Sequence, residues 1–366
     1  MPDPVHVAID ARMVGASGIG TYLQNILPRI ASGAPSWAFT LLGSPSILEG
    51  LGLPRRNGIG YVAVSAGVYT LREQIEVPWR TPRGTDLLWI PHYNVPLLYT
   101  GRLVVTIHDV LHLARPEFIG GRHRRLYARA LFGVVAKRAA RIMVDSDFTR
   151  TELTRHTGVR PERVRRVYPG VGESWFAQRP PKVPRTSDSY VVFVGNVKPH
   201  KNLGALLRAF ADLRDRIPER LVIVGRRSGF RTGDSEVPGL ADQIGDRVKF
   251  TGEVTDSQVR ELVAGASALV QPSLYEGFGL PPLEAMACGC PVLVSRCGSL
   301  PEVCGDAAWY CDANDYRDIG RQLWRILTDE PLRGQLRARG SARAKQFTWQ
   351  ACAEQTLAVL REVVDG

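Results

Sequence analysis

Two doubly wound α/β domains in tandem are the fold class that this 366-residue chain predicts. Three observations lead there. The length exceeds that of one ordinary domain. Short, nearly continuous apolar runs alternate with helical stretches, as in a parallel sheet covered by helices on both faces. A Pro-, Gly- and Ser-rich tract interrupts that alternation, which then begins again.

Taken in order, the first strand-like runs are VHVAID, AFTLLG, YVAV, DLLWIP, LVVTIHD and RIMVDS. Each is rich in β-branched and apolar residues. Helical stretches such as IGTYLQNILPRI and RRLYARALFGVVAKRAA lie between them. VYPGVGESWFAQRPPKVPRTSDS has no apolar period and is expected to link the domains. The second series is YVVFVG, LVIVG, VKFTG, ALVQPS, PVLVS and AAWYC, with LGALLRAFADLRDRI and SQVRELVAGA as helices. Beyond Asp312 the chain reads as helical almost to its end. The expected division is residues 1–175, a linker over 176–188, a second domain over 189–345 and a closing helix over 346–366. Two such domains would face one another across a cleft, with ligands beyond the carboxyl ends of the strands.

Composition narrows the class. A hydrophobic share of 44% with 23% charged residues suits a globular protein with substantial cores. No apolar run reaches the roughly 20 residues that span a bilayer. MPDPVHVAID enters a strand directly, without a signal peptide's basic region, so a cytoplasmic protein is expected. Cys290, Cys297, Cys304 and Cys311 recur every seven residues, but no C-x-x-C pair occurs. They are expected as buried thiols rather than metal ligands. The net charge of +11 is concentrated. Between Gly121 and Arg166, thirteen Lys and Arg residues face only Asp145, Asp147, Glu152 and Glu162. Such a segment is either a solvated face or one attracted to an anionic membrane surface, which would place the protein peripherally on the inner face of the cell membrane. No nucleic-acid-binding pattern accompanies the charge.

The strand ends carry the chemistry. After YVVFVG comes NVKPHKN, then a helix. Gly195 followed by Asn196, Lys198, His200 and Lys201 suits an anion near a helix start, with Lys201 as the best-placed cation; an ordinary loop with solvated lysines is the alternative. After ALVQPS comes YEGFGLPPLEAMACGC, where Glu276 lies in a glycine-rich loop. Glu284, with seven residues between, is expected in the first turn of the following helix. Two carboxylates leaving neighbouring strand and helix ends suit a ligand with several hydroxyl donors, a sugar. Glu284 would otherwise complement the helix dipole.

The stretch E-G-F-G-L-P-P-L-E resembles the E-x7-E motif of the retaining nucleotide-sugar glycosyltransferases of family 4, which have the GT-B fold. DARMVGASGIGTY is similar to the family's N-terminal glycine loop, and TIHDV to its His-containing strand end. VGNVKPHKNL, LVIVG and VKFTGEV follow in family order, and FTWQACAEQTLAVL resembles the helix that crosses back to the N-terminal domain. The resemblance implies an acceptor-binding first domain and a donor-binding second. It implies catalytic roles for Glu276, His108 and Lys201. Glu276 would hold donor-sugar hydroxyls, Lys201 would neutralise the diphosphate and His108 would lie beside the sugar. Glu284 would accept from the ribose, and backbone amides around Ser273, Phe278, Gly279 and Leu280 would touch sugar and diphosphate. Gly18 and Gly20 would approach the diphosphate, Gly195 and His200 would border it, and the Glu253–Val254 turn would face the base.

One departure bears on the leaving group. Where many members carry an Arg just after the glycine or just before the Lys, this chain has Asn196 and His200. The second cation is Lys198, Arg226 or a protonated His200. No metal and no cofactor are expected, only a nucleotide-sugar donor and a glycan or lipid-linked acceptor. HYNVPL, TIHDVLHL and the PHKN loop resemble the mannosyltransferase branch, so GDP-mannose is the expected donor and UDP-glucose the alternative. Three rivals remain. A dinucleotide-dependent dehydrogenase lacks its G-x-G-x-x-G after VAID. The others are a sugar-nucleotide epimerase and a catalytically inactive scaffold of the same fold.

Overall fold

The computed structural model describes residues 4–54, 57–178, 188–225 and 234–366. Most of the expected linker, from 179 to 187, lies outside the described residues, as does Arg226. The chain forms two compact units. One comprises Met1–Pro116, Gly121–Gly170 and Thr348–Gly366, the other Glu117–Gly120 and Val171–Phe347.

The first unit is built on a parallel sheet with seven strands among the described residues: β1 (His6–Asp10), β2 (Ala38–Gly43), β3 (Ile59–Ala63), β4 (Leu87–Ile90), β5 (Leu103–Ile107), β6 (Arg141–Val144) and β7 (Val164–Arg166). Their order is β3-β2-β1-β4-β5-β6-β7, and Ile9 of β1 lies opposite both Leu41 and Trp89. β4 and β5 are buried along their whole length, which is why they read as unbroken apolar runs. Trp89, fully buried, donates from Nε1 to Thr106 Oγ1 at 3.0 Å, so its one polar group is satisfied. β7 was not anticipated. It is three residues long, two of them arginine, and sits at the sheet edge, where short charged strands discourage pairing with other chains.

The C-terminal helix Trp349–Asp365 packs against the Ile19–Gly33 helix of this unit. Thr348 caps it by accepting from the Ala351 amide at 3.1 Å. Near its far end Glu362 accepts from Arg141 at 2.6 Å and Arg165 at 2.8 Å. Much of the basic segment thus serves the unit itself. Arg163 donates to the carbonyls of Ala136 and Ala139, and Arg155 pairs with Glu152. The apolar stripe of the Arg122–Arg138 helix is turned inward, with Leu131, Phe132 and Val135 buried. An amphipathic helix with basic residues can lie on a membrane, but here packing inside the unit takes these three residues away from the surface, while Leu126 and Tyr127 stay exposed.

The second unit has six parallel strands among the described residues: β8 (Tyr190–Val194), β9 (Arg220–Val224), β10 (Val248–Phe250), β11 (Ala268–Gln271), β12 (Val292–Ser295) and β13 (Trp309–Cys311). Their order is β10-β9-β8-β11-β12-β13. Phe193 of β8 packs with Leu206 and Phe210 of the Leu203–Ala211 helix and with Leu323 and Ile326 of the Tyr316–Thr328 helix. Truncating such a side chain would leave a cavity costing about 3–5 kcal/mol. All six cysteines are free thiols, and all but Cys297 are buried.

Each sheet reverses its winding once. The chain runs from β1 outward to β3 and returns to β4 beside β1; in the second unit it runs from β8 to β10 and returns to β11 beside β8. The loops after β1 and β4, and after β8 and β11, therefore diverge at the carboxyl ends and leave room for a ligand.

Candidate functional site

The second unit's switch point gathers its charged residues by specific staples. Gly195 ends β8, its amide donating to Val224 O at 3.1 Å. Pro199–Lys201 form one 3-10 turn, and Asn202, with φ 60°, bends the chain into the Leu203–Ala211 helix. Asn202 Nδ2 donates to Pro272 O at 3.0 Å and to Ala313 O at 2.8 Å, and the Leu274 amide donates to His200 O at 2.8 Å. The loop after β8 is thereby tied to the loop after β11, although 70 residues separate Asn202 from Pro272.

That tie brings Lys201 to Glu276. Lys201 Nζ lies 2.7 Å from both carboxylate oxygens. Glu276 Oε1 also accepts from Ser273 Oγ at 2.7 Å and Gln271 Nε2 at 3.0 Å. Burial alone would raise the Glu276 pKa, but the charge and hydrogen bonds of Lys201, with help from His200 and Ser273, hold it below the usual carboxylate value. Glu276 is thus a buried, ionised carboxylate. Its backbone is fixed from behind by residues that the sequence did not single out. Ser299 donates from its amide and its Oγ to Glu276 O, each at 3.1 Å, and from Oγ to Phe278 O at 2.8 Å. Gly298, with φ +63°, lies so close that a Cβ there would meet Glu276 O at 2.5 Å, so only glycine fits.

The helix expected to carry Glu284 spans Leu280–Ala287, with Gly279 left-handed before it. Glu284 is its fifth residue and stands beyond the first turn, a correction to the expected placement. Pro281 and Pro282 carry no N–H, so Leu280 is the first helical residue able to offer an amide. Phe278 is buried, its ring edge-on to Phe347 at 5.9 Å. Glu284 occupies different electrostatic surroundings from Glu276. Burial raises its pKa to about 7, with Asp256 adding to the rise and Arg260 opposing it. Those two residues belong to the Asp256–Ala264 helix that follows the Glu253–Val254 turn, so the turn and Glu284 share one side of the site. Asn196, Lys198 and His200 line the loop between β8 and Lys201.

The remaining predicted residues belong to the first unit. Gly18, with φ +75°, starts the Ile19–Gly33 helix, and a Cβ on Gly20 would meet Val14 O at 2.6 Å. Both glycines therefore have a local reason in the turn between β1 and this helix. His108, just after β5, has Nδ1 at 2.7 Å from Asp145 Oδ2 and Nε2 at 3.1 Å from Pro91 O. Both partners are acceptors, an arrangement that favours the doubly protonated ring. Burial works against that charge, yet Asp145, Asp109 and the Pro91 carbonyl together raise the His108 pKa. The ring of Tyr22 stands edge-on to it at 5.0 Å.

A further network was not foreseen. Arg12, two residues past the end of β1, donates to Asp10 Oδ2 at 2.7 Å and Glu73 Oε2 at 3.0 Å. Asn94, after β4, donates to Glu73 and accepts from Tyr127 Oη at 2.6 Å. Arg12 lies inside the glycine-loop motif and was legible as a strand-end cation. Glu73, Asn94 and Tyr127 gave no local signal.

Comparison with known proteins agrees with this geometry. Residues 83–174 match the model of Glycosyltransferase Family 4, and residues 176–345 that of Glycosyl transferases group 1. The O-antigen chain mannosyltransferase B of Escherichia coli is 33% identical over 266 residues, 70% of this chain and 69% of that protein. The serotype-specific mannosyltransferase WbdA of E. coli is 31% identical over 273 residues, 71% of this chain; the chain spans only 33% of that longer protein. Sucrose-phosphate synthase from Thermosynechococcus elongatus superposes with a TM-score of 0.78 at 19% identity, covering 98% of this chain and 99% of its own. With two parallel-sheet units of this kind, a GT-B fold and relatives that transfer mannose, this chain belongs to the family 4 glycosyltransferases.

Proposed function

We propose that the chain is a retaining mannosyltransferase that moves mannose from GDP-mannose to a hydroxyl of a glycan or lipid-linked glycan, without a divalent ion. The observation that carries the reading is the Lys201–Glu276 pair at the switch point of the second sheet. Mannose as the sugar rests on the names of the E. coli relatives. Glu276, ionised and held by three donors, has its geometry set before a sugar arrives and can accept from the sugar's hydroxyls. Lys201 meets the charge that develops on the leaving diphosphate, joined by the Gly279 and Leu280 amides. His108, with both ring nitrogens against acceptors and its pKa raised, favours the charged form and is not placed to act as a base. The acceptor hydroxyl attacks on the face the diphosphate leaves and passes its proton to the departing diphosphate oxygen as the C1–O bond to it breaks, so configuration is retained and no carboxylate becomes a covalent nucleophile.

A thermal-shift screen against GDP-, UDP-, ADP- and dTDP-sugars in the presence of EDTA tests this. A true donor at a hundredfold excess over Kd stabilises the native state by about 2.7 kcal/mol. GDP-mannose is expected to raise the midpoint most. A larger shift with UDP-glucose would overturn the donor, and a shift abolished by EDTA would overturn the metal-free diphosphate site. Interconversion of free nucleotide sugars without transfer would indicate an epimerase, and neither binding nor turnover an inactive scaffold.

Glu284 supplies a separate prediction. If ribose hydroxyls donate to its ionised form, donor affinity should rise as pH passes upward through about 7. Glu284→Ala should raise the donor KM, leave kcat within a few fold, and remove that pH dependence. Titrating donor binding from pH 6 to 8 checks both. A large loss of kcat at saturating donor would contradict a ground-state ribose contact.

A further inference from the structure

Glu276 uses its two carboxylate oxygens unequally. Oε1 accepts from Lys201 Nζ at 2.7 Å, Ser273 Oγ at 2.7 Å and Gln271 Nε2 at 3.0 Å. Among the described residues, Oε2 accepts from Lys201 Nζ alone, at 2.7 Å. A carboxylate oxygen has about two lone pairs, so Oε1 is full and Oε2 keeps room for one more donor. Gln271 does much to create that difference. It ends β11 after Ala268, Leu269 and Val270, and all four residues are fully buried. Its Nε2 also donates to Ser273 Oγ at 2.9 Å. That bond occupies the acceptor side of the hydroxyl and leaves the Ser273 proton to point at Glu276. The amide cannot be turned over, because its oxygen would then face an ionised carboxylate. Ser273 is tied in turn to the end of β12, where Ser295 Oγ donates to Ser273 O.

The arrangement has a cost. Gln271 Oε1 is buried and meets no donor among the described residues. A buried acceptor left unpaired is destabilising, and an apolar side chain of similar size would avoid the penalty. The run Ala268, Leu269, Val270 gives no packing reason for an amide at its end. We infer that Gln271 is a positioning residue for the transfer reaction: with Ser273 it saturates Glu276 Oε1, so that Oε2 is the oxygen presented to a hydroxyl of the donor sugar. This rests on the reading of Glu276 as the residue that holds the donor. Gln271 itself touches no reacting atom. It stops the carboxylate from turning about its last bond, and a contact held in one geometry contributes most where charge develops in the transition state.

Gln271→Met keeps the volume and removes both polar atoms. Release of GDP from GDP-mannose with water as the acceptor, beside thermal midpoints on the same samples, tests the inference. At saturating donor kcat should fall about tenfold with the donor KM within about threefold, since the contact strengthens in the transition state. The midpoint at neutral pH should be unchanged or higher, because an unpaired buried oxygen is gone. A merely structural glutamine would give the reverse, a lowered midpoint with kcat kept. Gln271→Glu supplies a readout within one folded protein. Burial and the charge of Glu276 raise the pKa of the introduced carboxyl. Protonated it still donates, and ionised it repels Glu276, so kcat should fall as pH rises from about 6 to 8, unlike that of the wild type. A third readout needs no donor. With one hydrogen bond lost, Glu276 is held down less, so the fall of the Gln271→Met midpoint on acidification should begin at higher pH than in the wild type. A Gln271→Met kcat within about twofold of the wild type, beside an inactive Glu276→Gln, would overturn the inference and leave the reading of Glu276 standing. So would an acid-side midpoint profile identical to the wild type, whatever the donor. An active Glu276→Gln would remove that reading itself, and the inference with it.

Discussion

Glu276→Gln is expected to cut kcat by about a hundredfold or more at saturating donor, the scale of losing one preorganised polar contact to a transition state. Glutamine keeps the volume and one acceptor oxygen, so Ser273 retains a partner, but the negative charge is gone. The sugar then loses an acceptor whose pull strengthens as positive charge builds at the anomeric carbon. Lys201 is left without its partner, yet its side chain is 20% exposed and can reach water. The fold should therefore survive with a lowered midpoint, by about 1–3 kcal/mol. Steady-state transfer assays with circular dichroism on the same sample decide the matter. A well-folded variant with undiminished kcat would remove Glu276 from the reaction.

Lys201→Met should be as damaging, lowering kcat/KM by about a hundred- to a thousandfold, because the leaving diphosphate then loses its best-placed cation. It also carries a pH signature of the opposite sign to the wild type. In the wild type the Glu276 pKa is held down, so its pairing contributes stability above the ordinary carboxylate range, lost as pH falls through the folded value. Without Lys201, burial dominates and pushes that pKa up. The variant should then lose stability as pH rises from about 5 to 8, and thermal midpoints across that range show the reversal. Adding Glu276→Gln should restore the midpoint at the upper end but not the activity, since it removes a buried unpaired charge and not the chemical deficit. A midpoint in Lys201→Met that follows the wild-type pH profile would show the two groups to be independent.

Much of this was readable from the chain. Twelve of the strands follow apolar runs quoted from the sequence, because a strand buried on both faces needs an unbroken run to fill its two cores. The strand ends followed too, and with them Gly195, Lys201, Ser273 and Glu276. The failures are of another kind. β7 escaped because an edge strand needs no apolar run. The stripe of the Arg122–Arg138 helix could not be oriented, since amphipathicity reports that one face is buried and not against what. Glu73 and Glu76, in EQIEVPWR, look like surface charges of an ordinary helix and are buried.

Which residues stand at the carboxyl ends of the strands follows from period, turn residues and motif spacing, all of them local properties. Their partners follow from long-range folding. Lys201 and Glu276 lie 75 residues apart and meet because the chain returns to place β11 beside β8. Arg12 and Glu73 meet across 61 residues. Burying a carboxylate costs several kcal/mol unless a cation or several donors reach it. Whether a given Glu is a solvated charge or the anchor of a site therefore depends on strand order and loop packing, which no short window of sequence contains.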